Sequence, residues 1–216
     1  FTTVPLSPLT ATAIGAGDAT VGQANIAALN AQLYGPLKQA LTFFGAGDRI
    51  NLMSTTAANP LLIKDESLPN LSAQLTAAFT PTLGAGVAAV YGQIYGQARQ
   101  TKAGDLVLLT TQGVIGTPPV GIPAPINAYG ISYPLEDKHV LIPTEIAELK
   151  AATDAYNITI NAAASANGLA FVDANALLTQ LASGGIVSNT YTLTSALVFG
   201  GAFSLDGVHP TSRGYA

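Results

Sequence analysis

Three long stretches of this chain, 67–98, 106–135 and 174–205, contain no charged side chain, yet glycine, proline, threonine, asparagine or glutamine interrupts each of them every few residues. A membrane-spanning helix needs about 20 consecutive, mainly apolar residues, and none of the three supplies that run. The apolar side chains must therefore be buried by short elements joined through tight turns. With 22 glycines and 13 prolines in 216 residues, such turns are available throughout. Hydrophobic residues reach 49% and charged residues only 9%, and the mean hydropathy is +0.39. Much of that apolarity is alanine, which suits an α/β protein as well as a membrane. The length is enough for one domain, 1–216, with a sizeable core.

Charge narrows the function classes. The net charge is −4 and no basic run exists, which argues against nucleic-acid binding. The chain has no cysteine, so it can form neither disulfides nor cysteine–zinc sites. No residue pattern calls for a cofactor or a metal. Sparse charge with abundant Thr, Asn, Gly and Ala leans toward an exported bacterial protein, secreted or held in the envelope.

Periodicity predicts the elements in order. Ile26, Leu29, Leu33, Leu37 and Ala40 recur at steps of three and four, predicting a helix over 20–40 with a kink at Gly35-Pro36. The short apolar runs 49–53 and 60–64 predict a hairpin insertion, followed by a solvated acidic turn at Asp65-Glu66. Helices are expected over 70–79 and 83–99 on either side of Pro81. The second contains Gly84, Gly86, Gly92 and Gly96, which implies close packing or an irregular segment. Tyr91 and Tyr95 share one face of it. Residues 105–110 read as a buried strand. The Gly/Pro-rich stretch 112–135 reads as a long loop, either a surface excursion or a lid or wall of a pocket.

A solvated turn at Glu136–His139 should precede a strand over 140–142. The clearest helix is 144–167, capped by Thr144, with Glu145 and Glu148 at its positive end and Gly168 as its stop. A strand over 169–172 and a helix over 175–182 follow, with Asp173 as that helix's cap rather than a catalytic group. Residues 186–203 read as a loop or hairpin.

The last thirteen residues hold the chemistry. In Ser204-Leu-Asp-Gly-Val-His-Pro-Thr-Ser-Arg-Gly-Tyr-Ala216, Asp206 and His209 lie three apart with Gly207 between them, and Pro210 stands where a helix can begin. A carboxylate so placed can accept the Nδ1–H bond of the imidazole, leaving Nε2 to take a proton from a nucleophile. Glu136-x-x-His139 repeats the spacing without the helix entry. No second histidine lies close enough to His139 to suggest zinc.

The Asp206-Gly-Val-His209-Pro210 block resembles the last motif of the SGNH (GDSL-type) esterases and lipases, and Gly168-Leu-Ala-Phe-Val-Asp-Ala-Asn-Ala176 resembles their penultimate strand and turn. The resemblance covers roughly the final fifty residues. It implies a three-layer α/β/α sandwich with a parallel sheet, ester hydrolysis with His209 as base and Asp206 as its orienting acid, and a small-molecule or lipid ester as substrate. The rest of the family pattern is missing. Gly-Asp occurs at Gly17-Asp18, Gly47-Asp48 and Gly104-Asp105, and serine follows none of them; no Gly-x-Asn or Gly-x-Ser-x-Gly occurs either. The nucleophile is therefore unknown within this chain. Phe1 at the start and Ala216 just past Pro210 lead us to expect the C-terminal part of a longer esterase. The competing expectation is a catalytically inactive relative serving as a binding or cell-surface module.

Overall fold

The computed structural model describes residues 9–188, 190–196, 199–206 and 209–215, with only the backbone of Ser188. They cluster into two compact units, 9–144 and 145–215. Both contain helix and strand. The strand ladders among the described residues are two-stranded and antiparallel.

In the first unit, α1 (Ala11–Ile14) leads into a continuous helical run of α2 (Ala19–Leu29), a π turn (Asn30–Tyr34) and α3 (Gly35–Phe43). Asp18 starts the run by accepting from the backbone N–H of Thr20 at 2.8 Å and of Val21 at 3.1 Å. The predicted kink at Gly35-Pro36 is instead the π turn just before it. Pro36 has no N–H to return to the preceding turn, and Gly35 N–H reaches Asn30 O, five residues back. Ile26, Leu33, Leu37 and Leu41 are buried along this run. Each contributes about 1.5–3 kcal/mol relative to exposure.

The hairpin predicted over 49–64 does not form. β1 (Leu62–Lys64) pairs with β2 (Ala98–Gln100), with Ile63 opposite Arg99. The other side of β1 takes the long loop, through Leu62 N–H to Gly130 O at 2.8 Å and Lys64 N–H to Leu135 O at 2.9 Å. Buried Leu61, Leu62 and Ile63 need cover on both faces, and a local turn could not provide it.

Between β1 and β2 lie α4 (Ser72–Leu83) and α5 (Ala85–Tyr95), packed as a helical hairpin. Pro81 lies inside α4 rather than between the helices, and the break falls at Gly84, where φ is +75°. Gly92 has the packing role expected of it: an added Cβ would lie 2.2 Å from Thr76 Oγ1 and 2.4 Å from Ser72 O. Buried Tyr34 and Tyr95 tie the long loop down by donating, at 2.6 Å each, to the carbonyls of Ile131 and Ser132.

β3 (Leu106–Val107) is shorter than the predicted strand because the chain turns into a 3-10 segment, Leu109–Gly113. It pairs antiparallel with β4 (Val140–Leu141), after a second 3-10 turn at Asp137–His139.

The second unit takes up α6 (Pro143–Ala166) from Glu145 onward, then α7 (Ala174–Ser183) and a hairpin of β5 (Ile186–Ser188) and β6 (Tyr191–Leu193). Residues 169–172 pair with no described strand, so the expected parallel sheet is not formed among the described residues. Leu169 and Val172 are exposed, as are Leu149, Tyr156 and Ile160 on α6. Ala164, Leu181 and Ala202 are the buried apolar residues described in this unit. No helix among the described residues is long and apolar enough to cross a membrane.

Candidate active site

The tail closes its own loop. Phe203 and Pro210 form an antiparallel bridge, Ser204 N–H donates to His209 O at 2.7 Å, and Thr211 N–H donates to Ala202 O at 2.9 Å. Thr211 Oγ1 donates to Gly201 O and accepts from Gly214 N–H. An added Cβ on Gly214 would sit 2.1 Å from Ala202 O, so only glycine permits this approach. Arg213 lies over the Tyr191 ring, 4.4 Å from its centroid, and anchors the tail to the β5–β6 hairpin. Of the helix expected after Pro210, the described residues show one turn, closed by Tyr215 N–H donating to Thr211 O.

This loop brings Asp206 and His209 together. Asp206 Oδ1 accepts from Ser204 Oγ at 2.6 Å and from His209 N–H at 3.0 Å. Asp206 Oδ2 lies 2.6 Å from His209 Nδ1. An ionised carboxylate only accepts, so Nδ1 carries the proton and the lone pair of the neutral imidazole is on Nε2. The His209 side chain is 74% exposed, so a reacting group can reach it. Among the described residues no serine hydroxyl bonds to Nε2, and Ser204 Oγ is held by Asp206.

Glu136 and His139 share the spacing but not the geometry. His139 Nδ1 accepts from Glu136 N–H at 3.1 Å, so in the neutral ring Nε2 carries the proton, the reverse of His209. The Glu136 carboxylate instead takes Tyr129 Oη at 3.0 Å and Lys138 Nζ at 2.6 Å. The hydrogen bond from Lys138 leads in holding its pKa below the usual glutamate value. Burial, reinforced by hydrogen bonding to Glu136, pushes the Tyr129 phenol up to about 12. His139 is buried against the Tyr129 ring at 5.2 Å, which corrects the solvated turn predicted here. With its acceptor nitrogen occupied by the backbone, it is no base for a nucleophile.

Asp173 caps α7 by accepting from Ala176 N–H at 2.9 Å, and that bond accounts for its position. Asp65 is buried rather than solvated; its partners are Ser67 and Arg99, while Glu66 pairs with Lys64 at the surface. No group of three His, Cys, Asp or Glu among the described residues could hold a metal ion.

No family model, curated protein or solved structure matches the chain.

One feature of the first unit escaped the sequence reading. An apolar groove lies between the α2–α3 run, the α4–α5 hairpin and the long loop. Its helical stripe, Asn25, Ala28, Leu29, Gln32 and Pro36, has spacings of three and four. The stripe mixes amides with small residues, so an apolar periodicity search favours the neighbouring core face instead.

Proposed function

We propose that this chain supplies the acid and base of a carboxylic-ester hydrolase of the SGNH kind, the nucleophilic serine being provided by polypeptide outside the 216 residues. The observation that carries the reading is the 2.6 Å bond between Asp206 Oδ2 and His209 Nδ1 on an exposed imidazole. The fold proposed with it is a three-layer α/β/α sandwich, with 169–172 as one strand of its parallel sheet. Exposed Leu169 and Val172, and the exposed apolar stripe of α6, support that reading because such surface is stabilised only by further packing.

In the proposed reaction, His209 Nε2 accepts the proton of the serine hydroxyl as its oxygen attacks the ester carbonyl. Asp206 holds the ring in the Nδ1–H tautomer and stabilises the imidazolium that forms. His209 then passes that proton to the departing alkoxide, leaving an acyl-enzyme and a free alcohol. Water repeats the sequence and releases the acid.

The test uses the complete reading frame that contains this chain, assayed on short p-nitrophenyl esters. His209→Ala and Asp206→Asn should each lower kcat by about 10^4-fold, and a fluorophosphonate should label a serine outside these 216 residues. The 216-residue chain alone should be inactive and unlabelled. An active complete protein indifferent to His209→Ala refutes the proposal. The second reading, an inactive binding module, is favoured by the absence of any described serine at Nε2. A complete protein that folds yet resists the fluorophosphonate would establish it.

A further inference from the structure

The groove of the first unit has two lobes of about 620 and 590 Å³, which adjoin at Gln32, Leu33, Leu83 and Tyr91. We infer that it is a binding site for an uncharged, linear hydrocarbon chain bearing one hydroxyl- or ester-like polar end. The inference does not rest on the ester-hydrolase reading.

The lining sets the charge of the occupant. Among the described residues neither lobe is lined by a Lys, Arg, Asp, Glu or His; the Tyr91 phenol is the only ionisable group among them, and burial raises its pKa. A charged ligand would lose hydration there without gaining a counter-ion. Each lobe falls within the roughly 300–1,000 Å³ of small-molecule sites. Nor do the lining residues offer charges to orient the polar face of an amphipathic helix.

The lining also sets the polarity along the occupant. The first lobe holds Asn25 and, at the junction, Gln32; among the described residues neither side-chain amide bonds to the protein. Each can donate and accept, which suits a hydroxyl or an ester carbonyl. The far lobe is walled mainly by Phe43, Phe44 and Phe79; Gln39 also lines it, and Thr82 Oγ1 already donates to Phe79 O at 3.1 Å. Phe43 is 83% exposed, so apolar area stands ready for burial there.

The backbone is also irregular where the lobes meet. Gln32 and Leu33, where the lobes meet, belong to the π turn Asn30–Tyr34. Such single turns set into α-helices are uncommon and frequently mark functional positions.

The test is displacement of N-phenyl-1-naphthylamine, an uncharged fluorescent probe, from the 216-residue protein by 1-alkanols of six to fourteen carbons. The displacing concentration should fall about three- to fourfold per added methylene, and decanoate at pH 8 should compete at least tenfold more weakly than 1-decanol. Ala28→Trp, which fills the first lobe from an exposed helix position, should weaken both probe and alkanols at least tenfold with an unchanged Tm. Absence of a chain-length dependence, or full binding by a folded Ala28→Trp, overturns the inference. Light scattering that shows a dimer abolished by Ala28→Trp would overturn it too, because the groove would then be an interface between two copies.

Discussion

Asp105 takes the guanidinium of Arg99 with both carboxylate oxygens, Nη1 at 2.6 Å and Nη2 at 2.7 Å, while Arg99 Nε reaches Asp65 Oδ2 at 2.5 Å. The three side chains are only 5%, 1% and 6% exposed for Arg99, Asp105 and Asp65. The hydrogen bonds that Arg99 donates to Asp105 lead in raising the Arg99 pKa against its burial. Removing the cation leaves two carboxylates without it in the interior. Arg99→Met should therefore cost about 3–5 kcal/mol, and Arg99→Lys should recover little, because an ammonium lacks the planar fork. Urea unfolding at pH 7 measures both. An Arg99→Met protein within 1 kcal/mol of the parent would refute this account of the cluster.

Acid should weaken the first unit in two stages. Burial, and next the charge of Lys138, lowers the His139 pKa against the opposing pull of Glu136. With the folded value below the unfolded one of about 6.5, the unfolded chain takes up the proton first. Stability is then full above pH 6.5 and falls as pH drops toward the folded value. Burial opposes ionisation of Asp65, but the hydrogen bonds from Ser67 and Arg99 outweigh it and hold its pKa below normal. Its contribution is present above about pH 4 and is lost as pH falls through the lower folded value. Unfolding free energy measured from pH 8 to pH 3 should show both declines, and His139→Gln should remove the first alone. A wild-type profile flat between pH 7 and pH 5 contradicts the buried neutral imidazole.

Two glycines of α5 should respond to alanine with opposite sign. At Gly92 the new Cβ meets Thr76 Oγ1 and the Ser72 carbonyl, and forcing the helices apart costs about 1–3 kcal/mol. At Gly86 nothing lies within 4 Å of the added carbon, so Gly86→Ala should stabilise by up to about 1 kcal/mol through helix propensity. Thermal melts of the two variants provide the comparison. A stabilising Gly92→Ala would mean that α4 and α5 are not in close contact.

Local pattern made α6 and α7 legible, whereas the helices expected over 70–79 and 83–99 are Ser72–Leu83 and Ala85–Tyr95. The 144–167 reading differs from Pro143–Ala166 by one residue at each end, and 175–182 from Ala174–Ser183 by the same. The Asp206–His209 contact was readable for a related reason: three residues, a glycine and a proline already place the two side chains within reach. The strands were harder. The 60–64 run was assigned to a nearby partner, yet β1 pairs with residues 98–100, across the whole α4–α5 hairpin. Nothing in either run specifies that separation.

The amino-acid order alone determined where α6 and α7 begin and end, and which carboxylate can steer an imidazole, because those depend on neighbours within about one turn. Burial was decided by the tertiary structure. Asp65 and His139 look solvated in sequence, and only the packing of distant segments gives Asp65 its arginine and buries the His139 ring. The two Glu/Asp-x-x-His pairs show the division most clearly. Their spacing is identical, and their opposite tautomers follow from whether a carboxylate or a backbone N–H meets the ring.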